Sequence, residues 1–145
     1  MASGVYGIFL RDALQNAKAF ALNASDTVKW EFVSDSYTPD FTTHDEEADI
    51  TNEVTGTGYT TSGEALGSPV LVNSITSGFT TFDGTDVSLP STTLALVRGV
   101  VGYDDTLSGD PLLWATTFGA DYSTTNGTFA ITWAATGIWR IDYIP

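Results

Sequence analysis

The sequence predicts an all-β protein: an antiparallel β-sandwich or barrel carrying one short N-terminal helix. Two observations lead there. Apolar and polar residues alternate, or apolar residues run on, in short segments split by glycine- and asparagine-rich turns. Beyond residue 22 no stretch repeats apolar residues at helical spacing between those segments. The length, 145 residues, is that of one domain, with residues 1–25 as an N-terminal helix or arm and 26–145 as the β domain. A chain this long buries roughly 70% of its unfolded surface and needs no covalent staple.

Residues 4–22 hold the helix, with Val5, Ile8, Phe9, Ala13, Leu14 and Ala17 near helical spacing and Ser3 as its cap. Asn23-Ala24-Ser25-Asp26 reads as the turn that ends it. Residues 27–33 alternate, placing Val28, Trp30 and Phe32 on one face of a strand. Residues 69–76 and 79–82 give two further strands. Residues 94–103 form the longest apolar run, a central strand in which Gly99 or Gly102 marks a bulge or a close backbone approach. Residues 111–118, 128–133 and 137–143 complete the set. Asp83-Gly84, Ser108-Gly109-Asp110 and Asn126-Gly127 read as turns between them. The irregular stretch 35–67 is too long for a structureless loop, so short strands are expected near residues 50–54 and 59–61.

Composition narrows the function. Five basic residues face eighteen acidic ones, a formal charge of −13. Arg11, Lys18, Lys29, Arg98 and Arg140 are scattered, so nucleic acid is not an expected partner. An anionic membrane surface would repel the chain, and no window reaches the ~18 apolar residues of a membrane span. There is no cysteine, which removes disulfides, thiol catalysis and cysteine-bound zinc. The N-terminus lacks the basic start and long apolar core of a signal peptide, and the expected site of synthesis is the cytoplasm.

Chemistry-bearing motifs are sparse. His44 is the only histidine; Asp40, Asp45, Glu46, Glu47, Asp49 and Glu53 surround it in sequence. A metal or general-base site is conceivable there, but a solvated acidic loop explains the run better. The pairs Asp104-Asp105 and Asp83 with Asp86 raise a glycosidase question. In so acidic a chain such pairs arise by chance, and Asp104-Asp105 better suits a turn. The sequence holds neither an EF-hand calcium loop, nor a G-x-S-x-G elbow, nor a P-loop. Weak calcium binding by the acidic loop stays open. No catalytic residue, cofactor or metal ligand is assigned, and no enzymatic activity is expected. Trp30, Trp114 and Trp133 lie within apolar strands and read as core. Tyr37, Tyr59 and Tyr122 lie among polar turn residues and read as surface, while Trp139 suits either place.

The order of short motifs carries a resemblance. Ser36-Tyr37-Thr38-Pro39-Asp40 is followed by Thr43-His44, then Asp49-Ile50-Thr51-Asn52-Glu53-Val54, Gly56-Thr57-Gly58-Tyr59 and Gly63-Glu64-Ala65-Leu66. Later come Val100-Val101-Gly102-Tyr103-Asp104-Asp105, Asp110-Pro111-Leu112 and Asn126-Gly127-Thr128-Phe129-Ala130-Ile131-Thr132-Trp133. From about Asp26 to Ile138 the chain resembles small virion structural proteins of tailed bacteriophages, the head decoration, cement or minor capsid proteins. The resemblance implies a non-enzymatic protein on the capsid surface. Its partners would be the major capsid protein and further copies of itself, as a homotrimer. Contact surfaces are expected at residues 2–9 and 37–59, through Val5, Tyr6, Phe9, Tyr37, Asp40, His44 and Tyr59. A tail, neck-adaptor or fibre-associated protein is the alternative within the same class. A surface carbohydrate-binding module, using aromatics in turns, is the alternative outside it.

Overall fold

The computed structural model describes residues 1–23 and 25–143. It is an all-β protein of two antiparallel sheets with one short helix near the N-terminus. The strands are β1 (Gly4–Val5), β2 (Val28–Val33), β3 (Glu64–Ala65), β4 (Val70–Ser74), β5 (Phe79–Asp83), β6 (Val87–Asp104), β7 (Leu112–Ile131) and β8 (Trp139–Asp142). The helix α1 spans Gly7–Gln15, and one turn of 3-10 helix spans Glu47–Asp49. The larger sheet has the order β1-β7-β6-β2-β3, the smaller β4-β5-β8.

The helix is shorter than the 4–22 expected. Gly4 and Val5 pair instead with Ala115 and Trp114 of β7. Asn16 takes a left-handed conformation (φ 55°) and stops the helix by returning its N–H to Ala13. Tyr6, not Ser3, stands at the N-cap, and Ser3 Oγ accepts from Thr117 N of β7 at 2.9 Å. The turn expected over residues 23–26 includes Ala24, which lies outside the described residues.

Alternation in β2 does what its sequence predicts. Trp30 pairs with Gly102, which pairs with Trp114, so one row across the sheet reads Trp30, Gly102, Trp114, Val5. Gly102 is there for space: a Cβ at that position would run into the Trp114 ring. Trp114 in turn meets Phe82 of β5, ring centroids 5.6 Å apart, and Phe82 stacks on Trp139 at 5.5 Å. This contact joins the two sheets.

Residues 34–63 wrap around β2: Tyr59 packs on Trp30 and Phe32, Val54 N donates to Phe32 O, and Glu47 lies beside Glu31. The Phe41 ring sits on Gly4, Gly7 N donates to Phe41 O, and Leu112 N donates to Asp45 O. The strands expected at 50–54 and 59–61 are not formed. A single bridge, Val33 with Glu53, marks the first, and residues 59–61 form turns. Isolated backbone bonds and side-chain hydrogen bonds, rather than a ladder, order this segment.

Two expected strands, 111–118 and 128–133, are one strand in the structure. Asn126-Gly127 is not a hairpin turn; the left-handed Asn126 (φ 48°) absorbs a register slip where Thr92 faces Gly127. Its partner β6 begins seven residues before the expected 94–103 run, at Val87. The hairpin connection is at Ser108-Gly109-Asp110, as predicted. Register also slips between Val97 and Gly99 and between Gly102 and Tyr103, as expected of bulges at these glycines. The buried hydrophobics, Trp30, Trp114 and Trp133 among them, form one cluster.

Candidate functional site

The residues expected at a contact surface divide into two groups. Tyr6 and Tyr37 are fully buried, Phe9 is 5% exposed and Tyr59 is 8% exposed. Their expected surface position is therefore corrected. The reason is that the Tyr37 and Tyr59 rings turn inward from polar stretches, while Tyr6 and Phe9 face the core from the start of α1. The Tyr6 and Tyr37 hydroxyls lie 2.7 Å apart, and Tyr37 Oη is 3.3 Å from His44 Nδ1. Tyr59 donates to Glu53 Oε1 at 2.8 Å and accepts from Phe32 N at 3.1 Å. Phe9 packs between Phe20 and Trp139. The aromatic platform a sugar would need at Tyr37 and Tyr59 is absent from the surface.

Val5, Asp40 and His44 keep some exposure. Val5 lines a crevice of about 330 Å³ between β1 and β8, with Trp114 and Trp139. Asp40 accepts from Thr42 N, Thr42 Oγ1 and Thr43 N, and these bonds hold its carboxyl well below the usual range. His44 N closes the same turn onto Asp40 O. Thus Tyr6, Tyr37, Asp40 and His44 come together as a brace between the start of α1 and the long loop. Tyr59 and Phe9 belong to other parts of the core.

Buried carboxyls form a second polar group. Glu31 on β2 is 2% exposed, its Oε1 has no partner, and its other neighbours are Glu47, Glu53 and Lys29. Burial first, then a hydrogen bond to the Glu47 carboxyl and the charges of Glu53 and Glu47, push its pKa up to about 8 against the pull of Lys29. Asp104 is fully buried and is raised to about 6 by burial and by Asp26, while the N–H groups of Thr106 and Leu107 oppose the shift. Asp104 thereby shapes the turn expected of Asp104-Asp105. Neither acid lines the crevice or the groove described next. Among the described residues no group of three or more His, Cys, Asp or Glu is placed to hold a metal ion.

The surface most suited to a partner lies on β7. Beyond Ala115 its edge away from β6 is paired with no strand among the described residues. The strand bends at Gly119 (φ 79°) and Asn126, so that Phe118 approaches Phe129 with ring centroids 6.2 Å apart. The bend opens a groove of about 570 Å³ lined by Phe118, Tyr122, Thr124, Thr128, Phe129 and Ile131 among others. Phe129 forms the floor, packed on Phe32 at 4.6 Å. Tyr122 is half exposed, as its polar sequence context predicts. The groove itself has no sequence motif; the only signals are the Phe118–Tyr122 spacing and the glycine between them.

Charge sets this region apart. Residues 87–98 and 116–132 together hold one acid, Asp121, and one base, Arg98. They pair, with Arg98 Nε donating to Asp121 Oδ1 at 2.7 Å. The acids crowd instead into residues 26–64. A second feature is the β4–β5 hairpin: apart from Asp83 at its open end it carries no charge, and Val70, Leu71, Val72 and Ile75 are exposed. On the adjoining β8, Arg140 and Asp142 pair with each other.

No helix among the described residues is long and apolar enough to cross a membrane. No protein-family model matches the chain, and comparisons with curated proteins and with solved structures likewise find no match.

Proposed function

We propose that the chain is a non-enzymatic structural protein of a tailed-phage virion, a decoration protein bound to the outer surface of the assembled head. The observation that carries this reading is the division of its surface. A body of net charge −13 presents two exposed, apolar strand features free of unpaired charge, the β7 groove and the outer part of the β4–β5 hairpin. Such patches on a soluble domain mark protein contacts. The acidic remainder disfavours contact between copies anywhere else on the surface.

The sequence resemblance supports the same reading, because its motif residues bond to one another. Tyr37 meets His44, Asp40 meets Thr42 and Thr43, and Tyr59 meets Glu53. The strings describe a structural brace, and a brace is what relatives of one fold share. On a shell, each subunit would bridge neighbouring capsid subunits, and many weak contacts would act together through effective concentration.

The test is quantitative mass spectrometry of purified virions of the encoding phage. The expected result is a copy number equal to the major capsid protein or a simple fraction of it. A handful of copies per particle would move the protein to the neck, tail or fibre. Absence from virions would overturn the reading altogether.

A further inference from the structure

We propose that the chain associates head to tail with copies of itself, the β4–β5 hairpin of one copy seating in the β7 groove of the next. The inference deepens the homo-oligomer part of the virion reading.

Shape gives the first argument. The groove is concave and open, with an apolar floor at Phe129 and aromatic walls at Phe118 and Tyr122. The hairpin is the convex counterpart: Ile75 at its tip is 79% exposed, and Val72 behind it is 48% exposed. The tip is uncharged and flanked by Thr76 and Ser77, which suit the threonines that line part of the groove.

Charge gives the second argument, and it selects the occupant. Two copies of a chain at −13 repel unless they meet where neither carries net charge. The outer part of the hairpin and the groove meet that condition: Arg98–Asp121 and Arg140–Asp142 are each internally paired, and Asp83 pairs with Val70 at the end of the hairpin away from Ile75. A basic partner would instead be drawn to residues 26–64, where the acids lie. The neutral pair of surfaces therefore fits a partner as acidic as the chain itself.

The two surfaces are different, so the contact is heterologous. Repeated with a closing rotation it makes a ring; without closure it makes a chain. Five-residue strands in one groove form a small interface, at the weak end of specific contacts, which ring closure would reinforce. Because the contact is apolar and the repulsion is ionic, association should strengthen with added salt.

The test is sedimentation of the purified chain from micromolar to near-millimolar concentration, with the exposed variants Ile75→Asp and Tyr122→Asp. Unchanged melting temperatures would establish that both variants fold. The wild type should form oligomers, more at high salt. Each variant alone should weaken association about 30-fold or more, since seating would now bury an unpaired carboxylate. A mixture of the two should give one-to-one dimers, because one variant keeps an intact groove and the other an intact hairpin. A wild type monomeric throughout would overturn the inference. So would an Ile75→Asp variant that associates normally, which would mean that copies pair through β7 alone. Either failure would leave the virion reading to stand or fall by the copy count.

Discussion

The Tyr37 hydroxyl links the fully buried Tyr6 to the half-buried His44. Replacing it with hydrogen leaves Tyr6 Oη buried beside nothing. Tyr37→Phe should therefore lower stability by about 1–2 kcal/mol, read by chemical denaturation, while leaving the exposed surface unaltered. Loss of partner binding at unchanged stability would show that the hydroxyl acts outside the core after all. Glu31 makes a different prediction. The folded chain holds its proton up to about pH 8, whereas an ordinary glutamate releases it near 4.5. The folded state thus binds more protons across that window, so this group's contribution is full below about 4.5 and is lost as pH rises to 8. Glu31→Gln removes that slope. Relative to wild type, the variant should gain on the order of 1–3 kcal/mol on going from pH 5 to pH 8.5. Equal pH slopes in the two proteins would mean that the buried carboxyl is already ionised at pH 5. Neither role was legible in sequence. Tyr37 and Tyr59 stand in polar turns, and nothing local says that a ring points inward. Glu31 occupies an alternating strand position that reads as solvent-facing until the loop over it is known.

Among the elements, β2 and the turn that joins β6 to β7 were readable because short-range chemistry dictates them: alternation around Trp30 and Phe32, and glycine at residue 109. The errors have physical causes. Apolar spacing over residues 4–22 suggested one helix, but Gly4 and Val5 had a β7 edge to pair with. Asn126-Gly127 carries a hairpin signature, yet a left-handed residue serves a bulge as well as a turn. Gly102 was singled out for a close approach, and the approaching group is the Trp114 ring. Gly102→Ala should force that ring out of its row and cost about 2–3 kcal/mol, measured by thermal melting. A melting temperature within error of wild type would mean that the Trp30–Gly102–Trp114 row is less tightly packed than described. The candidate groove was illegible for a related reason: it arises from bends at Gly119 and Asn126 that bring together residues far apart on one strand.

For the molecule as a whole, eighteen acids against five bases set a long-range term that no single contact reveals. Self-repulsion favours the expanded, unfolded chain, and salt screens it. Raising sodium chloride from low to half-molar concentration should therefore raise stability by about 1 kcal/mol, or the melting temperature by about 3 °C. A fall would mean that ion pairs such as Lys29–Asp105 outweigh the repulsion. The fold class was visible at this scale because composition and turn spacing already require stacked antiparallel strands. The side chains that would meet a partner were not visible, because exposure depends on which loop covers which face.

The pairing of β1 with β7 has a consequence for how the protein is made. Ser3 and Thr117, hydrogen-bonded in the native state, are separated by 114 residues. On the ribosome the first strand emerges long before its partner exists, at about 5–20 residues per second. The β6–β7 hairpin can zip locally as soon as it is out, but the N-terminal strand has to wait for it, with Tyr6 and Phe9 uncovered. Completion of the larger sheet is therefore postponed until β7 has been made. During that interval the early chain, Phe9 and Phe20 included, is the stretch a chaperone would be expected to hold.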